Sequence, residues 1–272
     1  MIAAVVLGLL LAAALNGADA PNTLLDQGYH NMYNLDFAGA HRCFQEWGKQ
    51  HPDDPMGPIS EGAAYLYSEF DRLRVLQSEF FTEDDSFFKR QRELRPDPSV
   101  KGQFDGAVTR GQKLAGATLA KKPDDENAML ASVLGVGLRA DYLAMIEKRN
   151  GAALTELKSS RAMAEQLLSK HPSCYDAYLA VGVENYMLSL KAAPLRWFLQ
   201  MTGAQTDKQL GIERLRITAE KGRFLLPYAR LLLGVAALRD KDKATAVRTL
   251  EWLSNRYPQN RLYREELAKL KR

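Results

Sequence analysis

The chain has 272 residues, 46% of them hydrophobic and 26% charged, with a net charge of +4. That length holds one large domain or two ordinary ones, and the composition excludes a disordered chain and a polytopic membrane protein. The small positive balance also argues against nucleic-acid binding: Arg72 with Arg74, Lys89 to Arg95, Lys221 with Arg223 and Arg261 to Arg272 read as solvated helix faces, with no reading motif among them.

Residues Ile2 to Leu15 form an uncharged apolar run that leads into Ala18-Asp19-Ala20. The pattern predicts that 1–20 is a secretory signal peptide cut before Pro21, or an N-terminal anchor that stays in place. Both readings stay open, because no Lys or Arg precedes the run and a proline follows the cut site. The run is also shorter than the ~20 residues of a membrane span. The protein is therefore expected to be exported, either periplasmic or anchored to the membrane by an uncleaved segment. Residues 21–272 are expected to form one helical-repeat domain that folds without the N-terminal segment.

From there helical periodicity runs almost throughout, with no alternating strand. The first hairpin is predicted as Thr23–Asn34 and Phe37–Gln50, with Asp36 as N-cap of its second helix. His51-Pro52-Asp53-Asp54-Pro55 breaks the chain, and a new helix begins near Ile59 and carries Gly62. Phe70 to Asp97 is irregular, with Phe80-Phe81 and Phe87-Phe88 set among charges. Helices follow over Lys101–Lys122, Asn127–Arg149 and Ala152–Lys170, with Asn150-Gly151 predicted to end the second of these. After His171-Pro172 come Tyr175–Lys191, a loop of apolar excess within Ser189–Asp207, and Lys208–Lys221 closed by Gly222. Pro227–Asp240 and Ala244–Arg256 make the last hairpin, and the amphipathic Asn260–Lys271 is expected to cap the stack.

An internal repeat organises these elements. Gly28, Ala40, Phe44 and Pro52 are separated by 12, 4 and 8 residues, and Gly234, Ala246, Leu250 and Pro258 repeat the spacing. Small residues suit a close crossing of two antiparallel helices, a large apolar residue wedges under the next unit, and the proline ends the second helix. Pro52 precedes Gly62 by ten residues, as Pro172 precedes Gly182.

At these positions the chain resembles the tetratricopeptide repeat family, most clearly over about 24–66 and 227–260. The usual tryptophan is absent, with Leu24 and Arg230 in its place. The resemblance implies an all-α fold, a right-handed solenoid of stacked antiparallel helical hairpins with a C-terminal capping helix. It implies that first helices line a concave groove, that the groove binds a protein or peptide, and that no catalysis is intrinsic. The groove positions are then Leu25, Tyr29, Met32 and Tyr33 in the first unit. Met56, Ile59, Ala63, Leu66 and Tyr67 follow in the second, and Leu179, Val183, Tyr186 and Met187 in the unit after Pro172. These faces are apolar and aromatic and lack the Lys, Asn and Arg with which one subset of the family grips a C-terminal carboxylate.

Catalytic groupings are missing from the sequence: it has no H-E-x-x-H, no G-x-S-x-G, no phosphate loop and no dinucleotide fingerprint. Asp26, His30 and His41 are too few for a closed metal site. His51 and His171 each precede a closing proline, where a polar group suits a helix C-terminus. Glu61 and Glu184 flank Gly62 and Gly182 as repeat-equivalent polar positions rather than as an acid–base pair. Cys43 reads as a small core residue and Cys174 as a turn residue in a distant repeat, so no bridge is expected. No cofactor and no metal are expected.

Arg196-Trp197-Phe198-Leu199 remains unexplained by the repeat. Three roles compete for it: a plug packed against Tyr186 in the groove, a partner surface, and an interfacial membrane contact with Lys191 and Arg196 near headgroups. The expected function is a non-enzymatic scaffold or adaptor in the cell envelope that binds a protein or peptide. The candidate contacts are Tyr29, Met32, Tyr33, Tyr67, Tyr186, Arg196, Trp197 and Phe198. The alternative is a membrane-peripheral structural component that touches lipid or an apolar ligand through 194–203.

Overall fold

A computed structural model describes residues 23–75 and 95–272. The signal or anchor expected at 1–20 and the two Phe-Phe pairs lie outside the described residues. Those described are helical, with no strand among them. In chain order the helices are α1 (Leu24–Tyr33), α2 (Phe37–Gln50), α3 (Met56–Arg72), α4 (Pro98–Lys121), α5 (Glu126–Tyr142) and α6 (Asn150–Lys170). They continue as α7 (Tyr178–Ser189), α8 (Ala193–Met201), α9 (Lys208–Lys221), α10 (Leu226–Arg239), α11 (Lys243–Arg256) and α12 (Arg261–Leu270). Neighbours pack as antiparallel pairs, α1 with α2, α3 with α4, α5 with α6, α7 with α9 and α10 with α11.

Recurring local chemistry ends these helices. His51, Lys122, His171 and Tyr257 each precede a proline, which disfavours helical backbone at the preceding residue. All four leave the helix at nearly the same angle, with φ of −132°, −136°, −127° and −126°. Each then accepts a hydrogen bond from the amide three residues on, at Asp54, Asp125, Cys174 and Asn260, over 3.0–3.1 Å. The turns inside the first and last hairpins also match. Leu35 and Lys241 take left-handed backbone at φ 64° and 62°, each seven residues after the repeat glycine. Asp36 and Asp242 follow and cap the second helix by accepting from the amides of Gly39 and Thr245 at 2.8 and 3.0 Å.

The structure corrects two boundaries. Asn150-Gly151 opens α6 rather than ending α5. The long helix loosens instead into a π turn, Leu143–Glu147, and reverses at Lys148 with φ 61°. The segment expected as a loop contains α8, because Pro194 sits at its first turn, where a missing amide hydrogen is harmless. Both cysteines are free thiols, and Cys174 is buried.

Close helix crossings fall at the repeat glycines. A Cβ on Gly28 would overlap the Phe44 ring, whereas one on Gly234 would reach only Thr249 Cγ2 at 3.2 Å. Gly62 and Gly182 meet Val108 and Leu215 of their partner helices in the same way. Gly28→Ala is therefore expected to cost about 1–3 kcal/mol as overpacking. Gly234→Ala should be near neutral, because a small shift of Thr249 is offset by better helix propensity. Urea melts of the two variants check this, and equal losses would contradict the difference in packing.

The last hairpin returns to the first. Arg223 donates twice to the Asp26 carboxylate at 2.8 Å, and Asn260 Nδ2 donates to the Tyr33 carbonyl at 2.8 Å. Tyr33 Oη donates to the Phe224 carbonyl at 3.0 Å, and Arg261 pairs with Asp71 on α3 at 2.7 Å. Tyr257 and Tyr263 join the same apolar core as Tyr29, Tyr33 and Phe44, so α12 lies at the junction of the two chain ends. Together with its π turn, α5 is the one helix among the described residues long and apolar enough to span a membrane, and it packs between α3, α4 and α6.

Candidate functional site

The first helices of the hairpins converge on a partly open cavity of about 80 Å³. Tyr29, Met32 and Tyr33 come from α1, Ile59, Ala63 and Tyr67 from α3, and Leu179 and Val183 from α7. Eight of the thirteen predicted groove positions thus meet there. The lining also includes Leu134, Gly137, Leu138 and Asp141 of α5 and Tyr228 of α10. Tyr186 does not reach it. Its ring packs instead with Leu215, Leu232 and Ala236, and its buried hydroxyl has no hydrogen-bond partner among the described residues.

Three tyrosines form walls at steep angles. The rings of Tyr33 and Tyr67 are 6.0 Å apart at 87°, and those of Tyr67 and Tyr228 are 5.8 Å apart at 73°. Tyr29 is held behind them, stacked on Phe224 at 4.8 Å and accepting from Ser60 Oγ at 3.2 Å. Burial raises all four phenols above their ordinary range, so they are neutral hydroxyls at physiological pH.

Two carboxyl groups reach the cavity, in different circumstances. Asp176 is saturated: it accepts from the amides of Arg223, Phe224 and Leu225 at 2.9–3.2 Å. Burial raises its pKa and those three amides oppose the rise. Asp141 makes no hydrogen bond or ion pair among the described residues. Its remaining surface opens on the cavity, and burial pushes its pKa up to about 7. A sequence signal for Asp141 does exist. It stands seven residues after Leu134, on the stripe that carries Gly137 and Leu138.

The Arg196–Phe198 segment lies elsewhere, on α8, and the groove plug is overturned. Trp197 is 65% exposed, Phe198 58% and Met201 68%, with Leu195 at 46%. Only Leu199 is buried, against Leu188, Ala204, Leu154 and Leu157. A nine-residue helix started by Pro194 turns one edge inward and the rest outward. Arg196 spends its charge locally, donating to the carbonyls of Ser189 and Lys191 at 3.1 and 3.3 Å. The connector after α8 is fastened by buried polar groups. Glu184 accepts from Gln205 N at 3.0 Å and from Arg161 Nε at 2.9 Å, and Asn185 Oδ1 accepts from Asp207 N at 3.1 Å. α8 is thus held at both ends while its apolar side faces solvent.

Other candidate residues are engaged elsewhere. Asp26 pairs with Arg223, and His30 lies 3.0 Å from Asn34 Nδ2. Glu61 pairs with Arg110 and Glu184 with Arg161, in different hairpins. No group of three potential ligands suited to a metal occurs among the described residues.

Fold and sites together define an all-helical protein of paired helices around an aromatic cavity, with one short helix that exposes an apolar face. No family model matches this chain, and no curated protein does.

Proposed function

We propose that the protein is a non-enzymatic scaffold or adaptor of the tetratricopeptide-like kind, a right-handed stack of hairpins that binds a protein or peptide partner in the cell envelope. The observation that carries this reading is α8. Leu195, Trp197, Phe198 and Met201 are all exposed on one short helix fastened at both ends. Large apolar side chains presented rigidly are the usual anchors of an interface, because little entropy is lost on docking. The matching end turns of four hairpins support the repeat reading. The expected groove positions line a partly open cavity, and α8 is the more exposed apolar surface, which favours α8 as the contact.

A membrane-peripheral role rests on a specific feature of the same helix: Lys191 is exposed just before a face that carries Trp197 and Phe198, the arrangement of an interfacial contact. Crosslinking in the native envelope and vesicle flotation, each with wild type and with Trp197→Ala plus Phe198→Ala, separate the two. Both substituted side chains are exposed, so the variant should melt like wild type. Loss of a defined protein crosslink with flotation unchanged supports the adaptor. Loss of flotation alone supports the lipid role, and retention of both removes α8 from the function.

A further inference from the structure

A buried carboxylate is ordinarily neutralised by a cation or by several donors. In this protein the other buried acids follow that rule. Glu69 is clamped by Arg72 at 2.6 and 2.7 Å, Glu184 holds Arg161, and Asp176 takes three backbone amides. Asp141, which keeps some exposed surface where it lines the cavity, has no donor among the described residues. Tyr67 and Tyr228, which flank that space, keep hydroxyls with no hydrogen-bond partner among the described residues and retain surface open to the cavity.

The space beside Asp141 has the features a soft cation recognises. Tyr33 and Tyr67 pack edge to face at 87°, as do Tyr67 and Tyr228 at 73°, and all three line the space, so a group held against them beside Asp141 meets aromatic surface. A cation with apolar substituents gains from those faces and from the carboxylate, and loses little on leaving water. An uncharged ligand would leave the carboxylate unpaired, and an anion would be repelled by it. A bare metal ion would find one carboxylate and no second acidic or imidazole ligand apart from Asp176, whose oxygens are committed to the chain. Leu134, Leu138 and Val183 supply an apolar floor for a short tail.

We propose that the cavity is a binding site for a small free alkylammonium ion, with Asp141 as counter-ion and Tyr33, Tyr67 and Tyr228 as the aromatic box. The volume of about 80 Å³ limits the ligand to a few heavy atoms. Specificity then follows from charge first and tail length second. Primary and methylated amines with a short chain fit, while neutral alcohols of the same shape lack the ionic contact. This assignment is independent of what docks on α8.

The test is calorimetric and NMR titration of the whole protein with n-propylammonium chloride, with 1-propanol as the neutral counterpart and sodium chloride as the salt control. Wild type should bind propylammonium at least roughly tenfold more tightly than propanol, with shifts confined to resonances of the cavity residues. Asp141→Asn should abolish that preference while its melting curve shows an intact fold. Tyr67→Leu should weaken propylammonium and leave propanol unchanged, because it keeps the apolar wall and removes the π face. Equal binding of the two probes, unaltered propylammonium binding by Asp141→Asn, or no binding of propylammonium at millimolar concentrations would each overturn the assignment.

Discussion

Arg161→Ala is expected to destabilise the protein by about 3–5 kcal/mol, the typical cost of breaking a buried ion pair by removing one partner. Arg161 holds Glu184 through Nε at 2.9 Å, and Glu184 is fully buried on α7. Truncation leaves that carboxylate with one remaining protein donor, the amide of Gln205. Most of the cost is therefore the stranded charge and not the lost attraction. The double variant Arg161→Ala with Glu184→Gln removes the charge and should recover a large part of the loss. Because Glu184 also fastens the connector after α8, the single variant should become sensitive to proteolysis around 201–207 before it unfolds globally. Urea denaturation with limited proteolysis reads both effects. A loss below 1 kcal/mol, or no recovery in the double variant, would show that the network is not what holds α8 in place.

Asp141 gives the opposite sign, a residue whose removal should stabilise. Its carboxyl ionises near 3.8 in the unfolded chain and at about 7 in the folded protein. Between those values the folded state holds a proton that the unfolded state has released. This contribution is therefore neutral below pH 3.8, turns unfavourable as pH rises, and is fully unfavourable once pH passes about 7. The difference corresponds to about 4 kcal/mol at most, less whatever water in the cavity recovers. The other ionisable groups on the cavity wall do not compete in this window. Tyr29, Tyr33, Tyr67 and Tyr228 stay neutral throughout, and Asp176, whose pKa burial also raises, contributes alike to wild type and variant. Asp141→Asn should thus match wild type near pH 4 and exceed it near pH 8. A gain that does not vary with pH would show that the carboxyl is not titrating there. An alkylammonium ligand should narrow the gap at pH 8 by stabilising wild type alone.

Much of the architecture was legible because prolines and capping residues act locally. Past the first turn of a helix, a proline disfavours helical backbone at the residue before it, so Pro52, Pro123, Pro172 and Pro258 mark four hairpin ends. Asp36 as a cap, and the crossing at Gly28, could likewise be read from neighbours a few residues away. The bounds of α5 could not be read that way. Asn-Gly stops some helices and opens others, and the π turn before it depends on packing beyond that stretch of chain. α8 hid for a related reason, since a run of Trp, Phe and Leu reads as buried unless polar clamps hold it outside. In the cavity, the aromatic half was visible as a helical stripe. Asp141 shares the stripe of Leu134, Gly137 and Leu138, but a charged residue there reads as solvated until the opposite helices are in place. The meeting of first and last hairpins had no local trace at all, being made by pairs such as Arg223 with Asp26.

That meeting changes how the protein should come apart. In a linear array each unit leans only on its neighbours, so the ends fray first and unfolding spreads inward. Here the two terminal units lean on each other, through contacts 191 and 227 residues apart in sequence. The amides of α1 and of the turn after Tyr257 should therefore exchange with deuterium as slowly as those of the middle hairpins, and unfolding should be a single cooperative event. The same closure must form late in folding, because joining such distant segments carries a loop entropy that local hairpins do not. The clasp between the ends is thus expected to govern both the cooperativity of unfolding and the slow step of folding, while the local hairpin turns form early.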